Sequence, residues 1–159
     1  MTDPHQRWME LALEEARAAR DQGDVPVGAV AISGERLIGR GRNRTEELQD
    51  PVAHAEIFAL REAARALGSW RLPGVTLYST LEPCAMCSGA SVLARIERLV
   101  YGADDPKAGM SGSLATLPQD PRLNHRVEIV RGILADECGE LLRSFFRDRR
   151  GLSDLPTSG

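Results

Sequence analysis

The sequence predicts an α/β fold, a three-layer α/β/α sandwich with a central five-stranded mixed sheet. Three observations predict it. Short β-rich runs alternate with longer stretches of helical period. The first two runs are parted by a Gly34-Glu35 turn, which makes them an antiparallel hairpin. The last two are parted by far more than the roughly dozen residues a parallel crossover needs, so they are expected to run parallel.

Trp8, Leu11, Ala12, Glu15, Ala16 and Ala19 recur at helical spacing, predicting a helix over 5–21 that ends near Gly23. Residues 25–32 and 36–41 are the hairpin strands. Asp50-Pro51 reads as a helix start, a carboxylate at the N-cap followed by proline where its missing N–H is harmless. That helix is expected to run to about Leu67 and stop at Gly68. A strand follows over 75–81, a helix from Pro83 to about Arg95, and a strand over 98–101. Residues 102–126 carry Pro106, Pro118 and Pro121 and read as loop with a short helix around Leu114. A strand over 127–130 and a helix over 134–150 complete one domain, 1–150, with 151–159 expected to fray.

Composition narrows the function. Of 159 residues, 42% are hydrophobic and 27% charged, the balance of an ordinary globular chain. The longest apolar run, near 25–32, is interrupted by Pro26 and Gly28 and falls far short of the ~20 residues a membrane helix needs. The opening residues have neither a basic nor an apolar export region, and three cysteines make no disulfide framework. A reducing, cytoplasmic setting is expected. A net charge of −3 argues against coating nucleic acid by bulk electrostatics. Arginines nevertheless cluster at Arg36, Arg40, Arg42 and Arg44, and again at Arg143, Arg147, Arg149 and Arg150. Such clusters are usually solvated faces, but the first brackets Asn43.

The chemistry sits in His54-Ala55-Glu56 and Pro83-Cys84-Ala85-Met86-Cys87, each at the start of a helix. Cys84 and Cys87 share one face of a first turn. His54 and Glu56 point apart on the side of a helix, yet converge off its N-terminal end, toward which side chains lean. A metal just beyond two helix N-termini satisfies both pairs, and the positive dipole ends there favour thiolates. One imidazole and two thiolates suit a single Zn²⁺ with an open fourth position for water, the catalytic arrangement. Zinc acidifies such a water, and Glu56 is the base beside it. A dithiol redox pair or a closed structural zinc are rival readings, and neither uses both His54 and Glu56. Cys138, deep in the last helix, is expected to be a small buried hydrophobe.

His-x-Glu followed by Pro-Cys-x-x-Cys resembles the signature of the zinc nucleobase deaminases, the cytidine deaminase-like superfamily. The match extends through Val25-Pro26-Val27-Gly28-Ala29-Val30, Asn43-Arg44, Thr80-Leu81-Glu82, 101–109, Asn124-His125-Arg126-Val127 and Phe145-Phe146-Arg147. Over nearly its whole length the chain is similar to the bacterial tRNA-specific adenosine deaminase family. The resemblance implies a homodimer with one Zn²⁺ per subunit, held by His54, Cys84 and Cys87. It implies that a tRNA anticodon stem-loop is bound and its wobble adenosine hydrolysed to inosine, chiefly in tRNA-Arg with an ACG anticodon, with Glu56 as proton shuttle. Substrate contacts are expected from Asn43, Ala55, Asp105, Lys107, Asn124, His125, Arg147 and Arg150. A deaminase of free guanine, cytosine or a nucleoside on the same site is the alternative, and a zinc-stabilised RNA-binding module without catalysis is a further one.

Overall fold

In the computed structural model, residues 3–153 are described, and they form a mixed five-stranded sheet between two helical layers. The elements in chain order are α1 (Pro4–Asp21), β1 (Gly28–Ser33), β2 (Arg36–Arg42), α2 (Thr45–Leu48), α3 (Ala55–Leu67), β3 (Val75–Leu81), α4 (Ala85–Leu93), β4 (Arg98–Ala103), β5 (Glu128–Arg131) and α5 (Ala135–Ser153). The sheet order is β2-β1-β3-β4-β5. β1 pairs antiparallel with β2 and β3, whereas β3, β4 and β5 run parallel.

Strand alternation divides the core. Ala29, Ala31, Leu77 and Leu99 face α3 and α4, burying Ala59, Ala63 and Val92. Val30, Ile32, Tyr78 and Val100 face the other way, against Met9 and Leu13 of α1 and Cys138 of α5. α3 lies unusually close to the sheet because β2 presents glycine to it. A Cβ on Gly41 would stand 2.2 Å from the Ala55 carbonyl oxygen, and one on Gly39 2.3 Å from that of Ala59. That close approach fixes the N-terminal end of α3 over the sheet edge.

Several boundaries differ from the sequence reading. The first strand begins at Gly28, after the Val25-Pro26-Val27 segment in which Pro26 has no N–H to give a ladder. The expected helix start at Asp50-Pro51 is a turn: the Asp50 carboxylate accepts the Val52 N–H at 2.9 Å, and α3 begins at Ala55. The short helix near Leu114 is instead a 3₁₀ turn at Leu117–Gln119, seated on Pro118. The last helix runs on through Ser153, three residues into the segment expected to fray, and the rest of that segment lies outside the described residues.

Candidate active site

Two helix N-termini meet at the carboxyl end of β3. His54 is the N-cap of α3 and Cys84 the N-cap of α4, both with extended backbone and neither using its side chain to cap. Their side chains are thereby released toward each other. His54 Nδ1 lies 3.6 Å from Cys84 Sγ and 3.5 Å from Cys87 Sγ. All three ligating atoms fall within 4.8 Å of one another. A tetrahedral zinc with Zn–N of about 2.0–2.1 Å and Zn–S of about 2.3 Å requires N···S edges of about 3.6 Å, so the donor set fits that ion in both chemistry and spacing.

The electrostatics agree. Hydrogen bonding from the Cys87 thiol and the His54 ring holds Cys84 down at about 3, a thiolate, while the neighbouring Cys84 sulfur and burial push Cys87 up. Two adjacent sulfurs compete for one negative charge, and a divalent cation is what lets both ionise. Glu56, in the first turn of α3, is 4% exposed, and burial pushes its carboxyl up from the usual range. Raising the carboxyl makes it a stronger base toward a water beside it.

His54, Cys84 and Glu56 line a cavity of about 290 Å³, the small end of ligand-pocket sizes. Val25, Val27, Asn43, Thr45, Ala55, Leu81, Glu82, Asp105 and Ala108 complete its lining. Asn43 donates its Nδ2 hydrogen to the Val25 carbonyl, while its Oδ1 is buried without a donor. An orphaned buried acceptor costs stability, and a ligand is one way to satisfy it.

Two buried carboxylates that the sequence reading did not single out shape the walls. Asp24, fully buried, accepts from the Thr45 hydroxyl and the Glu46 and Glu47 N–H groups, capping α2 from a distance. Glu82 accepts from the N–H groups of Asp105, Ser111 and Ser113 and from the Ser113 hydroxyl. Burial alone would raise its carboxyl, but those donors hold it below the ordinary range. The local cue for Glu82 is a lone charge between the uncharged β3 and Pro83.

Of the remaining expected contacts, Ala55 and Asp105 line the cavity, while Lys107, Arg147 and Arg150 share a neighbouring groove of about 740 Å³ with Arg143, Phe146 and Arg149. Asn124 and His125 are not brought there. They precede β5, at the opposite end of the parallel strands, and the His125 ring bonds the Ile96 carbonyl at 2.7 Å. Six residues of strand, about 20 Å, separate that end from the cavity in the same subunit.

The MafB19-like deaminase family model matches residues 3–150. The tRNA-specific adenosine deaminase of Bacillus subtilis (strain 168) is 50% identical over 143 residues, covering 90% of this chain and 89% of that protein. The chain belongs to the tRNA-specific adenosine deaminase family. A second relative, the tRNA-specific adenosine deaminase of Agrobacterium fabrum (strain C58), is likewise 50% identical and is covered to 94%. The fold of this deaminase superposes with a TM-score of 0.82 and 48% identity on a structure solved in a study of A-to-I editing by tRNA:A34 deaminases, covering 86% of this chain and 99% of that one. A guanine deaminase from Nitrosomonas europaea gives a TM-score of 0.76 at 26% identity, covering 91% of this chain and 85% of its own.

Proposed function

We propose that this chain hydrolyses the wobble adenosine of a tRNA anticodon to inosine, with an arginine tRNA bearing ACG as its chief substrate. The observation that carries the reading is a buried Glu56 beside the His54, Cys84 and Cys87 donor set, with Glu56, His54 and Cys84 lining a cavity sized for one nucleobase. His54, Cys84 and Cys87 hold one Zn²⁺, which when bound acidifies water.

The chain's own residues do the rest. An anticodon-loop base is already unpaired, so turning it into the cavity costs at most a few kcal/mol. Asn43 offers its unsatisfied amide to the purine nucleoside, and Ala55 and Val27 press on the ring. Glu56 takes a proton from the attacking water and delivers it to N1 as oxygen bonds to C6. The second proton of that water then reaches the exocyclic amine through Glu56, the C6–N bond breaks, and ammonia leaves. The ring is left with a C6 carbonyl and a protonated N1, which is inosine.

Asp105 and Lys107 meet the loop beside the cavity, and Arg147 and Arg150 hold its phosphates in the adjoining groove. The chain works as a homodimer: Trp70 and Leu93, 64% and 70% exposed, flank an apolar hollow with Ile57 and Leu60 of α3 and Ala94 at the end of α4. A patch of that kind marks an association surface. Asn124 and His125, remote from their own cavity, reach RNA only if a second subunit carries them to it. Among the described residues no helix is long and apolar enough to cross a membrane, and a tRNA substrate calls for a cytoplasmic setting.

Ammonia release from an anticodon stem-loop, compared with release from free guanine, cytosine and adenosine, tests the reading. Release from the stem-loop is expected. Release from free bases alone would transfer the site to the small-molecule reading that the guanine deaminase fold likeness favours.

A further inference from the structure

We propose that Glu82 is a positioning residue that holds residues 105–113 as one wall of the substrate cavity, and so governs how firmly the nucleobase is gripped. This rests on the deaminase reading above. Glu82 is 2% exposed and directly follows β3, two residues before Cys84. Its Oε1 accepts the Asp105 N–H at 3.0 Å and the Ser113 hydroxyl. Its Oε2 accepts the N–H groups of Ser111 at 3.1 Å and Ser113 at 2.9 Å. One carboxylate thus gathers both ends of a segment that has no helix or strand of its own.

That segment bears on the substrate. Asp105 and Ala108 line the cavity, as does Glu82 itself. The segment is also tied to the turn that carries Cys84: the Met110 N–H donates to the Pro83 carbonyl at 2.9 Å, and Ser111 Oγ meets Ser88 Oγ at 2.7 Å. The approach is close enough to demand glycine opposite the carboxylate. A Cβ on Gly109 would stand 2.3 Å from Glu82 Cδ. Carboxylate and glycine therefore form one fitted pair, and either half can be changed without touching a zinc ligand. Gln at position 82 keeps the shape but points an NH₂ at two of the four donors.

The experiment compares wild type, Glu82→Gln, Gly109→Ala and Ser113→Ala. Zinc content, inosine formation across a range of anticodon stem-loop concentrations, and amide hydrogen exchange at Asp105, Ser111 and Ser113 are measured. Glu82→Gln and Gly109→Ala are expected to keep one zinc, raise KM by about tenfold and change kcat by less than about threefold, the pattern of lost uniform binding. Exchange at those amides quickens in both. Ser113→Ala, losing one of four donors, raises KM by about twofold.

A merely structural role lowers kcat through loss of active protein and leaves KM alone, and that result in Gly109→Ala overturns the inference. Should Glu82→Gln lose zinc, Gly109→Ala decides by the same criterion. A wild type that forms no inosine refutes the deaminase reading instead, and unchanged amide exchange in Glu82→Gln then refutes the positioning role independently.

Discussion

His54 Nδ1 and Cys87 Sγ, 33 residues apart in the chain, meet at 3.5 Å because two helices end their first turns at the same point. The His54 side chain makes no capping hydrogen bond, and Cys87 lies in the first turn of α4. Each is an N-terminal residue whose side chain is free to serve a shared cation, and the positive helix ends favour the thiolate partners. Metal dependence follows. Elemental analysis of the purified protein is expected to give one zinc per chain. Chelation should abolish deamination and added zinc restore it, while Cys87→Ala should bind no zinc under the same conditions.

Glu56 should be separable from the metal. Glu56→Ala is expected to retain zinc and stem-loop affinity while losing about 10²–10⁴-fold in kcat, the usual contribution of a positioned acid–base group. Single-turnover kinetics with saturating enzyme measures it. Near-normal turnover would remove the proton-shuttle role.

The groove beside the cavity should act by charge. Lys107 and Arg147 line it together, and Arg147 also bonds Glu140 at 2.8 Å, a carboxylate it must exchange for a phosphate. Lys107→Ala and Arg147→Ala should each weaken stem-loop binding and flatten the slope of log affinity against log salt by about 0.7, the single-strand value for one phosphate contact. Titrations at several salt concentrations give that slope.

Cys138 should be inert in the native state. It is 1% exposed between α5 and the sheet, and burial pushes its thiol up to about 12. Peptide mapping after alkylation near pH 8 should find it unmodified until denaturant is added. Tyr78 and Tyr101 are likewise raised to about 12 by burial. The unfolded chain releases these protons earlier than the folded one, so their stabilising effect is complete at neutral pH and is lost as pH climbs toward 12. Urea midpoints should fall through that alkaline range.

The close seat of α3 on β2 should be costly to disturb. Gly41→Ala forces a Cβ into the Ala55 backbone, and about 1–3 kcal/mol of stability should be lost to overpacking. Because Ala55 opens the helix bearing Glu56, activity should fall more steeply than the melting temperature alone accounts for.

Much of this architecture was legible because its signals are local or counted. The Gly34-Glu35 turn gave the hairpin, and the length between β4 and β5 gave their parallel pairing. The i, i+3 cysteines and the His-x-Glu step pointed to ligands beyond helix ends. Asp50 misled because one piece of chemistry, a carboxylate accepting an N–H two residues on, serves an N-cap and an Asx turn equally. Here the His54 N–H turns back to the Val52 carbonyl, leaving His54 extended and the helix delayed until Ala55. His125 was legible as a member of a family segment but not as a ring that bonds Ile96, a partner 29 residues away. Asp24 and Glu82 were hidden for the same reason, since their donors arrive from α2 and from residues 105–113, which no local pattern connects to them.

The most direct test is to sequence an arginine tRNA with an ACG anticodon after incubation with the zinc-loaded protein. The wobble adenosine should be read as guanosine in the treated sample and as adenosine with Glu56→Ala. An unchanged wobble position after incubation with fully metallated wild-type protein would contradict the account.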